Sequence, residues 1–151
     1  MPKAKGSIEI KAPAERVFET IVDFKGYPEF LSEIEMVEVE SRSAKSARVL
    51  FAAQMMKRVE YLLAFSFKRS SQVAWKLASG DGTFSKNSGA WHLKKGKGTS
   101  TLVEFEVDVE FGIWIPGFIA EGLIKNHLPK MLTSFKKRAE MKQSRKKGQQ
   151  K

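Results

Sequence analysis

The sequence predicts an α+β domain: a curved antiparallel sheet of seven strands wrapped around one long C-terminal helix, with two short helices after the first strand. Three observations lead there. Apolar residues recur at every second position through most of the stretch from Met36 to Phe111, interrupted only by short polar turns. Beyond Gly117 the apolar period becomes helical, and an opening strand is cut by Pro13, after which a short helical stripe begins.

The elements follow in order. From Ser7 to Ala12 the residues Ile8, Ile10 and Ala12 alternate with Ser7, Glu9 and Lys11, the pattern of a half-buried strand. Pro13 ends that strand and suits the start of a helix, in which Ala14, Val17, Phe18, Ile21 and Val22 share a stripe opposite Glu15, Arg16 and Glu19. A second helical turn is expected around Pro28 to Leu31. Val37 and Val39 then alternate with Glu38 and Glu40, and Ala47, Val49, Phe51, Ala53 and Met55 share the next face. Val59, Tyr61, Leu63, Phe65 and Phe67 repeat the pattern, and Val73, Trp75 and Leu77 extend it. Gly80, Asp81 and Gly82 signal a turn before the strand carrying Gly89 and Trp91. The clearest alternation sets Thr101, Val103, Phe105, Val107, Val109 and Phe111 against Leu102, Glu104, Glu106, Asp108 and Glu110. Six consecutive strands joined by short turns must run antiparallel, because parallel pairs need crossover helices for which the spacing leaves no room.

After a loop over Gly112 to Gly117, the residues Ile124, Leu128, Met131, Leu132 and Phe135 form one helical stripe, with a kink expected near residues 125–129 because Pro129 lies inside it. This helix is the only large lid for the apolar side of the sheet. A curved sheet closed over one helix leaves space between them, where apolar pockets form.

Composition fits one domain. The chain has 151 residues, 42% hydrophobic and 29% charged, which argues against fibrous or wholly disordered classes. With no cysteine, the chain has no disulfide, thiolate metal site or cysteine nucleophile. The longest largely apolar run, Phe111 to Ile124, is broken by Gly, Pro and Glu121 and is shorter than the ~18 residues a membrane span needs. Residues 1–10 contain no apolar signal core. A cytoplasmic location is therefore expected. The net charge of +10 is concentrated at the end of the chain: Lys136 to Lys151 holds eight cations and one anion, leaving 19 cations against 16 anions, or +3, for residues 1–135. We expect a folded domain over residues 1–141 and a basic, frayed tail over 142–151.

Several motifs together resemble one family. Ala12-Pro13-Ala14-Glu15-Arg16-Val17-Phe18, Val22-Asp23-Phe24, Tyr27-Pro28-Glu29-Phe30-Leu31, Gly82-Thr83-Phe84 and Gly89-Ala90-Trp91 stand in the order and spacing of a START-like (SRPBCC) domain. They resemble its polyketide cyclase, coenzyme Q-binding and ribosome-association toxin branch in particular, over about residues 6–140. The resemblance implies the helix-grip fold and an internal cavity for hydrophobic molecules such as quinones, lipids or polyketide intermediates. It also implies a link to the ribosome for some bacterial members. One scaffold hosts several activities, so the family constrains fold more than function.

Strand parity and the helical stripe assign the cavity lining to Phe51, Met55, Tyr61, Leu63, Phe65, Trp75, Asn87, Trp91, Phe105, Val107, Ile124, Leu128 and Met131. The polar groups of the inward strand set are Tyr61, Asn87, Thr101 and the indoles of Trp75 and Trp91; the set contains no carboxylate, arginine or lysine. None of these groups titrates near neutral pH, so the residues favour binding over catalysis, and no catalytic residue is assigned. The enzymatic alternative is a cyclase or dehydratase. His92 has the wrong parity to face the cavity, and His127 stands two residues before Pro129, where a helix-surface position is the commoner case. Two isolated histidines do not make a metal site, and neither a metal nor a cofactor is expected. Lys136, Lys137, Lys142, Arg145, Lys146 and Lys147 are the candidates for phosphate contact, with a ribosome or an anionic membrane as the partner. No sequence-specific nucleic-acid binding is expected, because the aromatic face of the sheet lies under the helix.

Overall fold

Period-two alternation builds the sheet. Every strand after the second helix has short turns at both ends, so neighbours in sequence pair in space. The structure, a computed structural model, describes the backbone of residues 3–55 and 57–149 and the side chains of these residues as far as Met141. β1 (Lys3–Ile10) is followed by α1 (Ala14–Val22), a single 3₁₀ turn at Phe24–Gly26 and α2 (Tyr27–Phe30). Then come β2 (Ile34–Arg42), β3 (Ser46–Gln54), β4 (Arg58–Lys68), β5 (Gln72–Gly80), β6 (Phe84–Lys95) and β7 (Thr101–Phe111). The seven strands lie in the order β1-β7-β6-β5-β4-β3-β2, and every pair is antiparallel. The first strand closes onto the last through the register Ile8↔Val103.

Two helices occupy the concave side, α3 (Gly117–Lys125) and α4 (His127–Gln149). The expected kink is a break at Asn126. Pro129 falls in the first turn of α4, where backbone donors have no helical partner in any case, so its missing N–H costs little. α4 lies so close to β1 that a Cβ on Gly6 would stand 2.9 Å from Leu132 Cδ1. A side chain at position 6 would force Leu132, and to a lesser degree Leu128, to shift.

Three features of the fold go beyond the sequence reading. β1 begins at Lys3, because the free edge of β7 continues as far as Asp108 and pairs with the earlier residues whatever their side chains. The acidic face of β7 is matched by cations on its neighbour: Lys86 Nζ lies 2.8 Å from Asp108 and Lys94 Nζ 2.8 Å from Glu104. The helical backbone of α4 runs to Gln149.

Aromatic rings fill the closed end of the molecule. Phe24 is fully buried and its ring centroid lies 4.5 Å from that of Phe65. Tyr27 meets Phe135 of α4 at 5.3 Å, and Trp91 meets the same ring at 4.8 Å. These contacts hold the 3₁₀ turn, α2 and α4 against the floor of the sheet.

A candidate ligand cavity

Toward the other end, sheet and helix part. Side chains that point inward by strand parity are only half-buried there, Tyr61, Trp75 and Val107 among them, because they face an internal space of about 220 Å³. All thirteen residues assigned from the sequence line it: Phe51, Met55, Tyr61, Leu63, Phe65, Trp75, Asn87, Trp91, Phe105, Val107, Ile124, Leu128 and Met131. Met55 does so from the turn after β3 rather than from the strand. The volume is below the ~300–1,000 Å³ of pockets that enclose drug-sized ligands and is about the room of a ring system or a short chain.

The lining is layered. Tyr61 and Phe84 form the outer band, edge to face at 5.2 Å. One pleat deeper lie Trp75 and Asn87, and Trp91, Phe105 and Phe135 form the floor, with ring centroids 4.7 and 4.8 Å apart. The cavity reaches the surface at Gln54 and His127, both of which line it while remaining exposed. On the loop and helix that follow β7, Trp114 (86% exposed) and Phe118 (79%) project into solvent.

The polar groups sort by what they already hold. Tyr27 Oη donates to the Ile21 carbonyl at 2.5 Å, and burial, reinforced by the negative charge of Asp23, pushes its phenol pKa up. Burial also pushes the Tyr61 phenol up, with Glu33 adding to the effect, so both rings stay neutral at physiological pH. The Trp75 indole Nε1 donates to Asn87 Oδ1 at 3.0 Å. Thr101, expected to face inward as a free polar group, instead donates its hydroxyl to the Ala12 carbonyl at 2.7 Å and does not line the cavity. It closes the β1–α1 corner, where the buried carbonyl needs a donor.

Residues missed by periodicity come mainly from turns and helix ends. Glu33 and Gln54 border the cavity where the β2 and β3 ends meet, joined by the Gln54 N–H to the Glu33 carbonyl at 2.7 Å. Glu33 is thus a carboxylate at the mouth, which the strand pattern alone did not place. His127 lines the cavity from the first turn of α4. His92 is on the convex face, 3.9 Å from Glu106. Among the described residues no cluster of three or more histidines and carboxylates is placed to hold a metal. No helix among them is long and apolar enough to cross a membrane.

The basic end is only partly free. Lys136 Nζ is held by the Glu9 carbonyl at 2.9 Å and by Glu140 at 2.6 Å, since α4 packs that face against β1. Arg138 is buried beneath Glu29, which its Nη2 meets at 2.5 Å. Lys137 is exposed. The side chains of Lys142, Arg145, Lys146 and Lys147 lie outside the described residues.

Comparison with known proteins agrees with this architecture. The family described as polyketide cyclase/dehydrase and lipid transport matches residues 10–136, and the chain belongs to it. A START superfamily protein from Mycobacterium smegmatis superposes with a TM-score of 0.81 at 21% identity, covering 92% of this chain and 97% of the other. A protein from Thermus thermophilus gives 0.80 at 24% identity, with 91% and 97% covered. The Zhui aromatase/cyclase from Streptomyces sp. R1128 gives 0.80 at 15% identity, with 91% and 93% covered. At these identities the likeness establishes the START-like fold. No curated protein matches the chain.

Proposed function

We propose that the protein binds and carries an uncharged hydrophobic small molecule, of lipid, quinone or polyketide-like chemistry, without transforming it. The observation that carries this reading is the chemistry of the lining: aromatic and aliphatic side chains for the most part, with Glu33, Gln54, Asn87 and His127 as the polar exceptions and no lysine or arginine among the described lining residues. Apolar ligands gain on the order of 25 cal/mol per Å² on entering such a space. The phenols inside stay protonated, and a general acid or base needs a pKa near the working pH. Native mass spectrometry of gently purified protein tests the reading. A copurified hydrophobic molecule, released by solvent and restoring thermal stability when added back, is the expected result. An empty protein whose melting temperature no lipid or quinone shifts would end it.

A second reading is favoured by one observation. Glu33 and His127 both line the mouth, a carboxylate and an imidazole of the kind a cyclase or dehydratase would use for proton transfer. Turnover of a polyketide-like substrate that is lost in both Glu33→Gln and His127→Gln, with binding retained, would establish it.

The partner surface is a separate proposal. Lys137 with Lys142, Arg145, Lys146 and Lys147 makes a phosphate-binding set, now without Lys136, which Glu140 holds. An anionic membrane or a ribosome supplies the phosphates, and a cytoplasmic location would give access to both. Cosedimentation with anionic liposomes and with ribosomes separates the two.

A further inference from the structure

The layer between mouth and floor contains a directed hydrogen-bond donor. Gly89 of β6 pairs with Trp75 of β5. A Cβ on Gly89 would lie 2.6 and 2.8 Å from the Trp75 ring atoms Cζ2 and Cη2, so the absent side chain is what lets the indole lie flat across the strand. In that position its Nε1 reaches Asn87 Oδ1 at 3.0 Å, two residues back on the same strand. An indole N–H only donates, so the amide must present its oxygen to it. That fixes the amide orientation and leaves Nδ2, with two N–H groups, pointing away from the indole.

Asn87 is 9% exposed and lines the cavity. Its Nδ2 has no hydrogen-bond partner among the described residues, yet it is not sealed within protein. Thr20 and Thr101, also buried and polar, are already bonded to carbonyls. A buried, unpaired amide donor is costly when its cavity holds only hydrocarbon, and a ligand oxygen removes that cost.

Building on the reading that the cavity carries a hydrophobic molecule, we propose that Asn87 Nδ2 is the recognition point for an uncharged carbonyl-type oxygen. The ligand class is then an apolar ring or chain bearing a ketone, quinone or ester oxygen held one layer above the Trp91 floor. A carboxylate is disfavoured, since no described lysine or arginine lines the space and Glu33 stands at the mouth.

Two isosteric probes differing in one group test this. 1-Tetralone and tetralin have nearly the same shape, and only the first carries a carbonyl oxygen. Titration calorimetry on the full chain is expected to show 1-tetralone binding about three- to tenfold more tightly, the range of one neutral hydrogen bond. In Asn87→Leu the ratio of the two affinities falls to about one, whatever change the variant makes to both probes alike. A readout that needs no variant accompanies it: the Asn87 side-chain amide protons move downfield in ¹⁵N–¹H spectra on saturation with 1-tetralone and not with tetralin. Equal affinity in the native protein, or a preference that survives Asn87→Leu, overturns the inference while leaving hydrophobic carriage standing. Failure of both probes to bind overturns the carriage reading beneath it.

Discussion

Replacing Gly89 with alanine tests the arrangement on which the cavity rests. The added Cβ would stand 2.2 Å from the Glu106 carbonyl oxygen and 2.6 Å from the Trp75 ring. An ordinary carbon–oxygen contact is more than about 3.3 Å, so β6 and β7 must separate by roughly 1 Å and the indole must shift as well. Overpacking of this kind costs about 1–3 kcal/mol, and losing the Trp75–Asn87 hydrogen bond adds about 1 kcal/mol. Against this, alanine restricts the unfolded chain and returns about 0.4–1 kcal/mol. The net expectation is a loss of about 2–3 kcal/mol, or a melting temperature lower by about 5–10 °C for a domain of this size. Urea unfolding followed by tryptophan fluorescence measures it, with Gly117→Ala as the control. A Cβ at position 117 has nothing within 4 Å, and that variant should stay within about 0.5 kcal/mol of the parent. A Gly89→Ala protein as stable as the control would refute the placement of Trp75 flat against the strand.

Further expectations follow from other parts of the molecule. Val107→Phe projects a ring into the cavity and should weaken tetralin binding at least tenfold, with stability changed by less than about 1.5 kcal/mol; calorimetry and thermal melting read the two effects. Asp81 accepts the Glu60 and Thr83 backbone N–H groups at 3.0 and 2.9 Å, and these bonds hold its carboxyl below the usual range. A lowered folded-state pKa contributes stability above the ordinary carboxylate pKa of about 4 and loses it as pH falls through the folded value. Asp81→Asn should therefore flatten the decline in stability expected between about pH 5 and pH 2. Arg138→Ala removes the partner of Glu29 and uncovers Phe30, whose ring centroid lies 5.2 Å from the guanidinium carbon, and should cost about 1–2 kcal/mol in chemical denaturation. Truncation after Met141 should leave the melting temperature nearly unchanged while abolishing salt-sensitive pelleting with anionic liposomes.

Much of this molecule is legible because period-two alternation survives the whole length of its strands. Thr101 to Phe111 and Val59 to Phe67 declare their inward faces without ambiguity, so the cavity walls follow from parity. Ala53, Val109 and Phe135 also line the cavity from faces that the period marks, and the rest of what escaped lies where no period applies. Glu33 and Gln54 sit at strand ends, and His127 stands at the start of a helix, so their approach to the cavity is decided by how the turns close. The Trp75–Asn87 bond depends on the β5–β6 register and on a missing side chain at Gly89, neither of which hydropathy encodes. Arg138 and Lys136 read as tail charge, yet the face of α4 that carries them turns toward the domain. Thr101 had the right parity but lies at the corner beside Ala12, beyond the end of the cavity.

Intermolecular nuclear Overhauser effects between a bound apolar probe and the protein's methyl groups test the central claim most directly. With tetralin at saturation, contacts are expected to methyls of Leu63, Val107, Leu128 and Met131, four residues brought together from two strands and one helix. Saturable binding without those contacts, or contacts confined to the exposed Ile113 and its neighbours, would contradict a ligand site inside the sheet.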